Sequence, residues 1–573
     1  MLHSNSPLKA FKKARTLRLG AAGITAAAFD AFGICDFLRP RIGKEGPNSR
    51  VDNPELLRAM CIQLLTVPHQ SMAGTGEFFK NRPVGPLIGC DGAECSDLNR
   101  VNMSRMLDAV CEAGPERLFV HVAALVARRL GIRPRVFHLD STSFHYDGKS
   151  RSEDGVPVVL DLGYSRDNHP ELNQINSLMM VDELSQIPLF QNCVSGHVSD
   201  KTSFKETVLK DLPMIKQQFK ELRYVVGDSA FCTSGIADAA ADQGIWFVTR
   251  IPDRNGEAAP CIAEAAAHPE ELVPIDPEDP SSPKAMWSGE GFIGKQKVVK
   301  LTVRNEMLES RKRETVGKHA EKELKALEKK ITRLRTRPCK CKADAEKSVK
   351  ELEESLRLCT ISNVQYEEVI GHDRRGHPKD GDKGRVKAVK VTADVAISKE
   401  LVEEAVKRET YYVICTNDTG RKWTMQELLS TYKRQSVVER SWRCLKDRRV
   451  LVSAIWLQLP SRICALMWVM SIALLVHAAT EYLMRKAMAE NHLSIPWTDQ
   501  RVRLPRPTLM RMYDFINNSG PDVTVNLALG TAEVGRLPDE AIDALESMGH
   551  EWTTYYLDGT YAGTAMMLRQ AGF

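Results

Sequence analysis

The sequence predicts an α/β chain whose mixed sheet follows a helical leading segment and is interrupted by a long insertion. Three observations carry this. Near Arg135 the apolar pattern changes from helix-length runs to strand-length ones. From there the order reads three strands, helix, strand, helix, strand, with Asp140 after the first strand and Asp228 after the fourth, the strand ends where open α/β sheets place their chemistry. Far downstream, the stretch Thr431 to Arg449 has Val438, Trp442 and Leu445 at helical spacing. There Tyr432, Glu439 and Lys446 are each seven apart, so a single helix would put an acid between a phenol and an ammonium on one face.

Taken in order, residues 1–130 are expected to form a helical domain, with helices over Ala21 to Phe32, Pro54 to Thr66 and Arg105 to Leu130, interrupted at Pro40, Pro68 and Gly114. Its leading edge is basic (Lys9, Lys12, Lys13, Arg15, Arg18), the look of a unit that reads a DNA site. Residues 131–254 hold the first part of the sheet: strands Val136 to Leu139, Val156 to Leu162 and Ile187 to Val194, a helix Phe204 to Lys220, the strand Tyr224 to Val226, a helix Ser234 to Gln243 and the strand Ile245 to Val248. Residues 255–424 read as an insertion. It contains the strand Val298 to Val303, then a helical hairpin at about 306–358 built on Leu324, Leu327, Ile331 and Leu334 and on Ala345, Val349, Leu352 and Leu356. The strands Val389 to Ile397 and Tyr411 to Cys415 return the chain to residues 425–490, the second part of the core, where Ile463 to Met484 supplies apolar cover. Residues 491–573 form a tail of mixed pattern in which no chemistry is legible.

Composition sets bounds. At 573 residues the chain exceeds a single core and has room for roughly three or four domains. The formal charge of +5, from 79 basic and 74 acidic side chains, is too small to indicate a nucleic-acid partner by itself, although cations concentrate between Lys433 and Arg449. The fourteen cysteines lack the spacing of a disulfide framework, and neither the pair Cys339 and Cys341 nor Cys90 and Cys95 has a second pair at zinc spacing. Reduced thiols in a cytoplasmic protein are the expectation. No signal peptide is read at the N-terminus, and the apolar run Ile463 to Ala479 reads as a buried core helix rather than a membrane span.

The acids carry the chemistry. Phosphoryl transfer on DNA commonly uses two divalent ions bridged by carboxylates, about 4 Å apart, and hard cations take oxygen ligands. Asp140, Asp228 and Glu439 supply such a set from two strand ends and a helix that packs across them. His138 shares a strand face with Asp140 but is read as a packed or supporting residue, since imidazole suits a hard cation poorly. Trp287 and Trp423 are read as packing residues, with stacking on an unpaired base as the other use of an indole here.

These residues resemble the bacterial insertion-sequence transposases of the DDE type, in the group marked by a Tyr-Arg-Glu-Lys helix. The resemblance rests on FHLDSTSF at 137–144, GYSRDNHPELNQ at 163–174, GHVSD at 196–200, YVVGDSAF at 224–231, FVTRIP at 247–252 and YKRQSVVERSWRCLK at 432–446, and it covers roughly residues 10 to 490. It implies an RNase H-like catalytic core with a β-plus-helical-hairpin insertion. It also implies Asp140, Asp228 and Glu439 as catalytic metal ligands holding two Mg²⁺ (or Mn²⁺) ions. Tyr432, Arg434, Arg443 and Lys446 are then the DNA-binding residues. Partners implied are double-stranded DNA, as terminal inverted repeats and as target, and a second copy of the chain assembled on it; cytoplasmic, nucleoid-associated placement follows. One position departs: the family's arginine is expected three residues after the tyrosine, where this chain has Gln435, and Arg434 stands one place earlier. In GHVSD, His197 takes the place of the family's asparagine. Two alternatives stay open at this point, a cutting-deficient descendant that only binds DNA and a non-transposing nuclease of the same fold.

Overall fold

The structure, a computed structural model, describes residues 14–43, 49–66, 74–146, 148, 153, 155–156, 158–165, 169–253, 255–279, 281–371, 385–446, 457–497, 502–561 and 563. The basic residues Lys9, Lys12 and Lys13, and Arg448 and Arg449, lie outside the described residues, as does Pro68. The chain divides into two compact units, Met1–Thr249 with Ile293–Gln296 and Ser430–Phe573, and Arg250–Phe292 with Lys297–Leu429.

The first unit opens on a short strand, β1 (Ala14–Leu17), followed by helices α1 (Ala22–Phe32), α2 (Asn53–Thr66), α3 (Arg100–Ala113) and α4 (Pro115–Arg129). Gly114, at φ 79°, breaks α3 from α4, and Pro115 then occupies the first turn of α4, where its missing N–H costs nothing. The sheet follows as β2 (Val136–Tyr146), β3 (Asn173–Asp182) and β4 (Pro188–Ser195). Next come α5 (Asp200–Glu206) and α6 (Leu212–Gln218), joined by a π turn, then β5 (Tyr224–Gly227), α7 (Ser234–Asp242) and β6 (Trp246–Ile251). The strands lie in the order β4-β3-β2-β5-β6. β3 is antiparallel to β2 and β4, and β5 is parallel to β2 and β6, which is the RNase H-like arrangement.

Two strand assignments from the sequence are corrected. Among the described residues of 156–162 the pairing is an isolated bridge from Asp161 to Gln174, and the second strand of the sheet is instead β3. Its first half, Asn173-Gln174-Ile175-Asn176-Ser177, is too polar for apolar patterning to reveal. β2 runs on past Leu139 to Tyr146, because β3 pairs with it over its whole length from Phe137↔Asp182 to Tyr146↔Asn173. Asp140 therefore sits inside a strand, at the level where the neighbouring β5 stops.

The second unit contains β7 (Lys284–Ile293), β8 (Gln296–Arg304), α8 (Glu309–Thr336), α9 (Lys342–Ser355), β9 (Cys359–Gly371), β10 (Arg385–Ile397), α10 (Lys399–Glu409) and β11 (Tyr411–Thr416). β11 pairs antiparallel with β8, which neighbours β7, while β9 and β10 form a separate long hairpin. The helices α8 and α9 bury only narrow stripes against that hairpin: Leu327 and Ile331 with Cys359, and Ala345 and Val349 with Val389 and Val391. β7 and β9 went unread in the sequence. β9 alternates exposed and half-buried residues over most of its length, so it lacks the apolar run of a core strand.

The chain then passes along α11 (Met425–Lys433), which begins in the second unit, to α12 (Ser436–Lys446) and α13 (Pro460–Glu490) of the first. The most apolar 18-residue window of α13 is 89% buried, as in a core helix. It touches α2, α3, α4 and β4. The tail is structured, with α14 (Leu509–Ser519), β12 (Val523–Asn526), β13 (Thr531–Val534) and α15 (Asp539–Met548). β12 pairs antiparallel with β1, from Ala14↔Asn526 to Leu17↔Val523. Tyr513 and Thr25 share a hydroxyl hydrogen bond of 2.9 Å, and Trp552 packs edge-on against Phe32. Arg58, almost fully buried, donates to Asp30 and to the Tyr555 hydroxyl, so that an otherwise costly buried guanidinium is both paired and hydrogen-bonded. The leading helices and the tail share one core.

Candidate active site

Two parallel strands fix the first two acids. β2 and β5 pair in the register Val136↔Tyr224 through Leu139↔Gly227, so the next residues, Asp140 and Asp228, leave that ladder side by side. Neighbouring strands lie about 4.8 Å apart, which puts both carboxylates within reach of shared cations. Asp228 is held by a turn. Its Oδ1 accepts from the Ala230 N–H at 2.9 Å, and its carbonyl accepts from the Thr249 hydroxyl at 2.7 Å and the Phe231 N–H at 3.0 Å. This turn explains the glycine of YVVGDSAF: a Cβ on Gly227 would come within 2.7 Å of the Phe231 side chain, which folds back over it. It also absorbs Thr249 of FVTRIP.

The third acid comes from α12. Sequence spacing puts Tyr432, Glu439 and Lys446 on one continuous helix; the structure corrects this. The chain turns at Arg434 and Gln435, and bonds from Gln435 N to Tyr432 O, Val437 N to Arg434 O and Val438 N to Gln435 O tighten it into a 3₁₀-like joint. Tyr432 thus belongs to the end of α11, and the seven-residue spacing relates only Glu439 and Lys446. The apolar face of α12, Val438, Trp442 and Leu445, is buried as expected.

Two sets of contacts locate Glu439 along β2. At the C-terminal part of α12, Trp442 packs edge-on against Phe144 at 6.2 Å, and the Lys446 ammonium lies 5.5 Å from the Phe144 ring centre. At the joint, Arg434 pairs with Glu183 at 3.2 Å, just past the Phe137↔Asp182 pair. α12 therefore runs along β2 from the level of Phe137 to that of Phe144. Phe144 lies four residues beyond Asp140, on the same strand face, and Glu439 lies in the chain between the two anchors. The Glu439 side chain is exposed, on the flank of the helix next to its buried face.

The remaining candidates divide. Lys446 and Glu439 share a flank of α12, and Arg443 is exposed one turn from Glu439. Arg434 is engaged with the nearly buried Glu183, so part of its charge is committed within the protein. His138 is fully buried with neither ring nitrogen hydrogen-bonded; burial, with the nearby Arg434, pushes its pKa down to about 3 and keeps it neutral. Trp423 is buried, its indole donating to the Asp418 carbonyl at 3.2 Å, as befits packing; Trp287 is partly exposed.

Motifs with no chemistry assigned in the sequence turn out to be structural. Asp161, missed by sequence reasoning, accepts from the His197 N–H at 2.9 Å and pairs with its ring, so His197 anchors the segment ahead of α5. Gly163 and Gly196 are the signal that could have found this: a Cβ on Gly163 would lie 2.0 Å from the Gly196 carbonyl, and one on Gly196 would lie 2.4 Å from that of Gln174. Ser199 caps α5 through the Thr202 N–H, and Asp200 accepts from Ser141, the neighbour of Asp140.

The donor set suits a divalent oxygen-seeking ion, with two carboxylates in register on a sheet and a third on an adjacent helix flank. Among the described residues, one trio of His, Cys, Asp or Glu side chains has its ligand atoms all within 4.8 Å of one another: His268, Glu270 and Glu271, exposed on one short turn of the second unit. Asp140, Asp228 and Glu439 are spread more widely.

Residues 132–453, more than half of the chain, match the family described as Transposase DDE domain. Residues 14–124 match a domain of unknown function, DUF4277. No curated protein matches the chain. Among solved structures, a piggyBac transposase synaptic complex with hairpin DNA is similar at 10% identity, over 97% of this chain and 81% of that one, with a TM-score of 0.34. A Mos1 transposase paired-end complex with the left transposon end is similar at 9% identity, over 35% and 59%, with a TM-score of 0.14.

Proposed function

The chain belongs to the family of the transposase DDE domain, and from that premise we propose that Asp140, Asp228 and Glu439 form the site at which it cuts the ends of an insertion sequence and joins the freed 3′ hydroxyls to target DNA. The observation that carries the assignment is the equal register of Asp140 and Asp228 on β2 and β5, with α12 laid along the same strand. Two Mg²⁺ or Mn²⁺ ions held by these carboxylates would supply an activated water or hydroxyl and offset charge on the leaving oxygen.

The chain's own groups do the rest. Asp140 and Asp228 are fixed by strand pairing and by the Ala230 turn, so they reach the reaction already positioned. Lys446, on the Glu439 flank, and Arg443, one turn away, contact phosphates next to the scissile bond and orient it without binding metal. Tyr432, on the far side of the joint, contacts the strand from α11. Arg434, tied to Glu183, holds the start of α12 in place and so aims Glu439. Cutting two ends and joining them requires two such sites, so the working form is a dimer assembled on terminal inverted repeats. The family match does not favour a cutting-deficient descendant or a non-transposing nuclease.

The test is to incubate purified protein with the DNA flanking its own gene and Mg²⁺ or Mn²⁺, then map nicks. Nicks at matching terminal repeats are expected. Stable end binding with no nick under either ion contradicts the proposal.

A further inference from the structure

α12 has a second cationic side, which shares only Arg443 with the residues placed at the scissile bond. Arg440 and Arg443 on α12, Arg485 and Lys486 on α13, and Arg506 ahead of α14 line a cavity of about 610 Å³, whose floor includes Val437, Ser441 and Leu474 and whose rim is the β3–β4 turn. Among the described residues, the only carboxylate lining it is Glu481, and that is already committed: it pairs with Arg485 at 2.6 Å and accepts from the Leu509 N–H at 2.7 Å. Arg440 donates to the neutral Gln186 side chain at 3.3 Å. Among the described residues, Arg443, Lys486 and Arg506 have no carboxylate within 4.0 Å, and all three are exposed at the cavity. Five cations against one acid leave an uncompensated positive field in a concave site, which concentrates anions. Arg485, partly buried, feels that field: burial, with Arg506 and Arg440 acting against Glu481, holds its pKa below the usual arginine range.

Helical geometry relates this side to the reaction. Successive residues turn by about 100°, so Val437, Arg440, Ser441 and Cys444, which line the cavity, point away from Glu439 and Lys446, while Arg443 stands between the two sides. Cations on three separate elements, rather than converging on one point, match a chain of phosphates better than a single small anion.

We propose that the cleft bounded by α12, α13 and the segment before α14 seats backbone phosphates of the bound DNA beyond the reacting bond, as a track running from the carboxylate site over Arg443 to Lys486 and Arg506. This extends the function proposed above and rests on it for the identity of the polyanion.

The experiment uses the full chain carrying Lys486→Gln and Arg506→Gln together, with thermal melts to verify folding. Binding to a duplex end is measured across a salt series. Each lost phosphate contact lowers the log–log salt slope by roughly 0.9, so the double variant is expected to lose about 2 units of slope and on the order of tenfold in affinity at moderate salt. The charge-keeping pair Lys486→Arg with Arg506→Lys is expected to retain the slope. An unchanged slope in the Gln variant overturns the proposal, as does equal loss in the charge-keeping pair, which would mark a packing effect. Inorganic pyrophosphate is titrated in parallel. If it binds wild type but not the Gln variant while the DNA slope is unchanged, the cleft is a small-anion site and the proposal fails. Because the readout is binding, absence of nicking bears on the function assigned to the carboxylates and not on the cleft.

Discussion

The two aspartates and the glutamate are positioned by opposite means. Asp140 and Asp228 stand on adjacent parallel strands whose ladder fixes their separation, and Asp228 is pinned further by the Ala230, Phe231 and Thr249 contacts. Glu439 rides on an eleven-residue helix held by Trp442 on Phe144 at one end and Arg434 on Glu183 at the other, behind a 3₁₀-like joint. Backbone pairing moves little; a helix with two side-chain anchors can shift or rotate as a unit. The site therefore combines a rigid half with an adjustable one, and the adjustable half carries Arg443 and Lys446, the proposed DNA contacts.

The largest effects should come from the rigid half. Asp140→Asn and Asp228→Asn should each reduce cleavage on the order of 10³-fold or more, while leaving end binding intact, because each removes a charge that holds the ions. Changing side-chain length by one methylene separates the halves: the longer Asp140→Glu should be as inactive as Asp140→Asn, whereas the shorter Glu439→Asp should retain measurable single-turnover cleavage because the helix can follow. Equal loss in both would end the distinction between a rigid and an adjustable half.

Next in size is the packing anchor. Trp442→Ala removes a buried indole, a class of change costing about 3–5 kcal/mol, and should lower the cleavage rate with both aspartates unaltered; Trp442→Phe should restore much of it by keeping a ring against Phe144. At the other anchor, Arg434→Ala removes the ion pair with the nearly buried Glu183 and should slow cleavage more than it weakens end binding. Gln435→Arg, which places a guanidinium at the joint, should tighten the DNA end by about 1–2 kcal/mol if it forms a charge-assisted phosphate contact. Both are read by single-turnover cleavage of pre-bound ends alongside affinity. A Gln435→Arg protein unchanged in both assays would show that Arg434 alone fills that place.

The smallest expected effect on cleavage lies at Asp211, on the π turn between α5 and α6. Burial pushes its carboxyl up to about 6, with Glu116 adding to the rise. A folded pKa above the unfolded value means that the ionised form destabilises the fold, so stability falls as pH rises from about 3.8 through 6. Asp211→Asn should therefore be more stable than wild type above pH 6, on the order of 1–2 kcal/mol, with the difference vanishing below about pH 4. Melts at pH 4 and 8 check this, and cleavage should be unaffected.

Sequence patterning reached the site because its acids follow apolar strands, and the register of β2 and β5 then follows from two short runs, Val136 to Leu139 and Tyr224 to Gly227. It missed β3, whose polar first half hides in a run without alternation, and it fused α11 with α12, because helical spacing continues through Arg434 and Gln435 although the backbone does not. The tail was opaque for another reason. Tyr513, Trp552 and Tyr555 find Thr25, Phe32 and Asp30 some 500 residues away in sequence, and no local period reports such partners. One consequence is practical. A fragment of residues 1–130 lacks the groups that complete its core, so any test of DNA-end recognition by the leading helices needs the full chain.

The central claim is that Asp140, Asp228 and Glu439 form one divalent-ion site that cuts DNA. Its most direct test is mapped cleavage of the gene's own flanking ends, in Mn²⁺, by wild type and by Asp228→Asn at matched occupancy of the DNA. The account predicts nicks at the terminal repeats from wild type and none from Asp228→Asn, with equal binding by both. Near-normal nicking by Asp228→Asn would contradict it, because the turn that fixes this residue beside Asp140 would then serve structure alone.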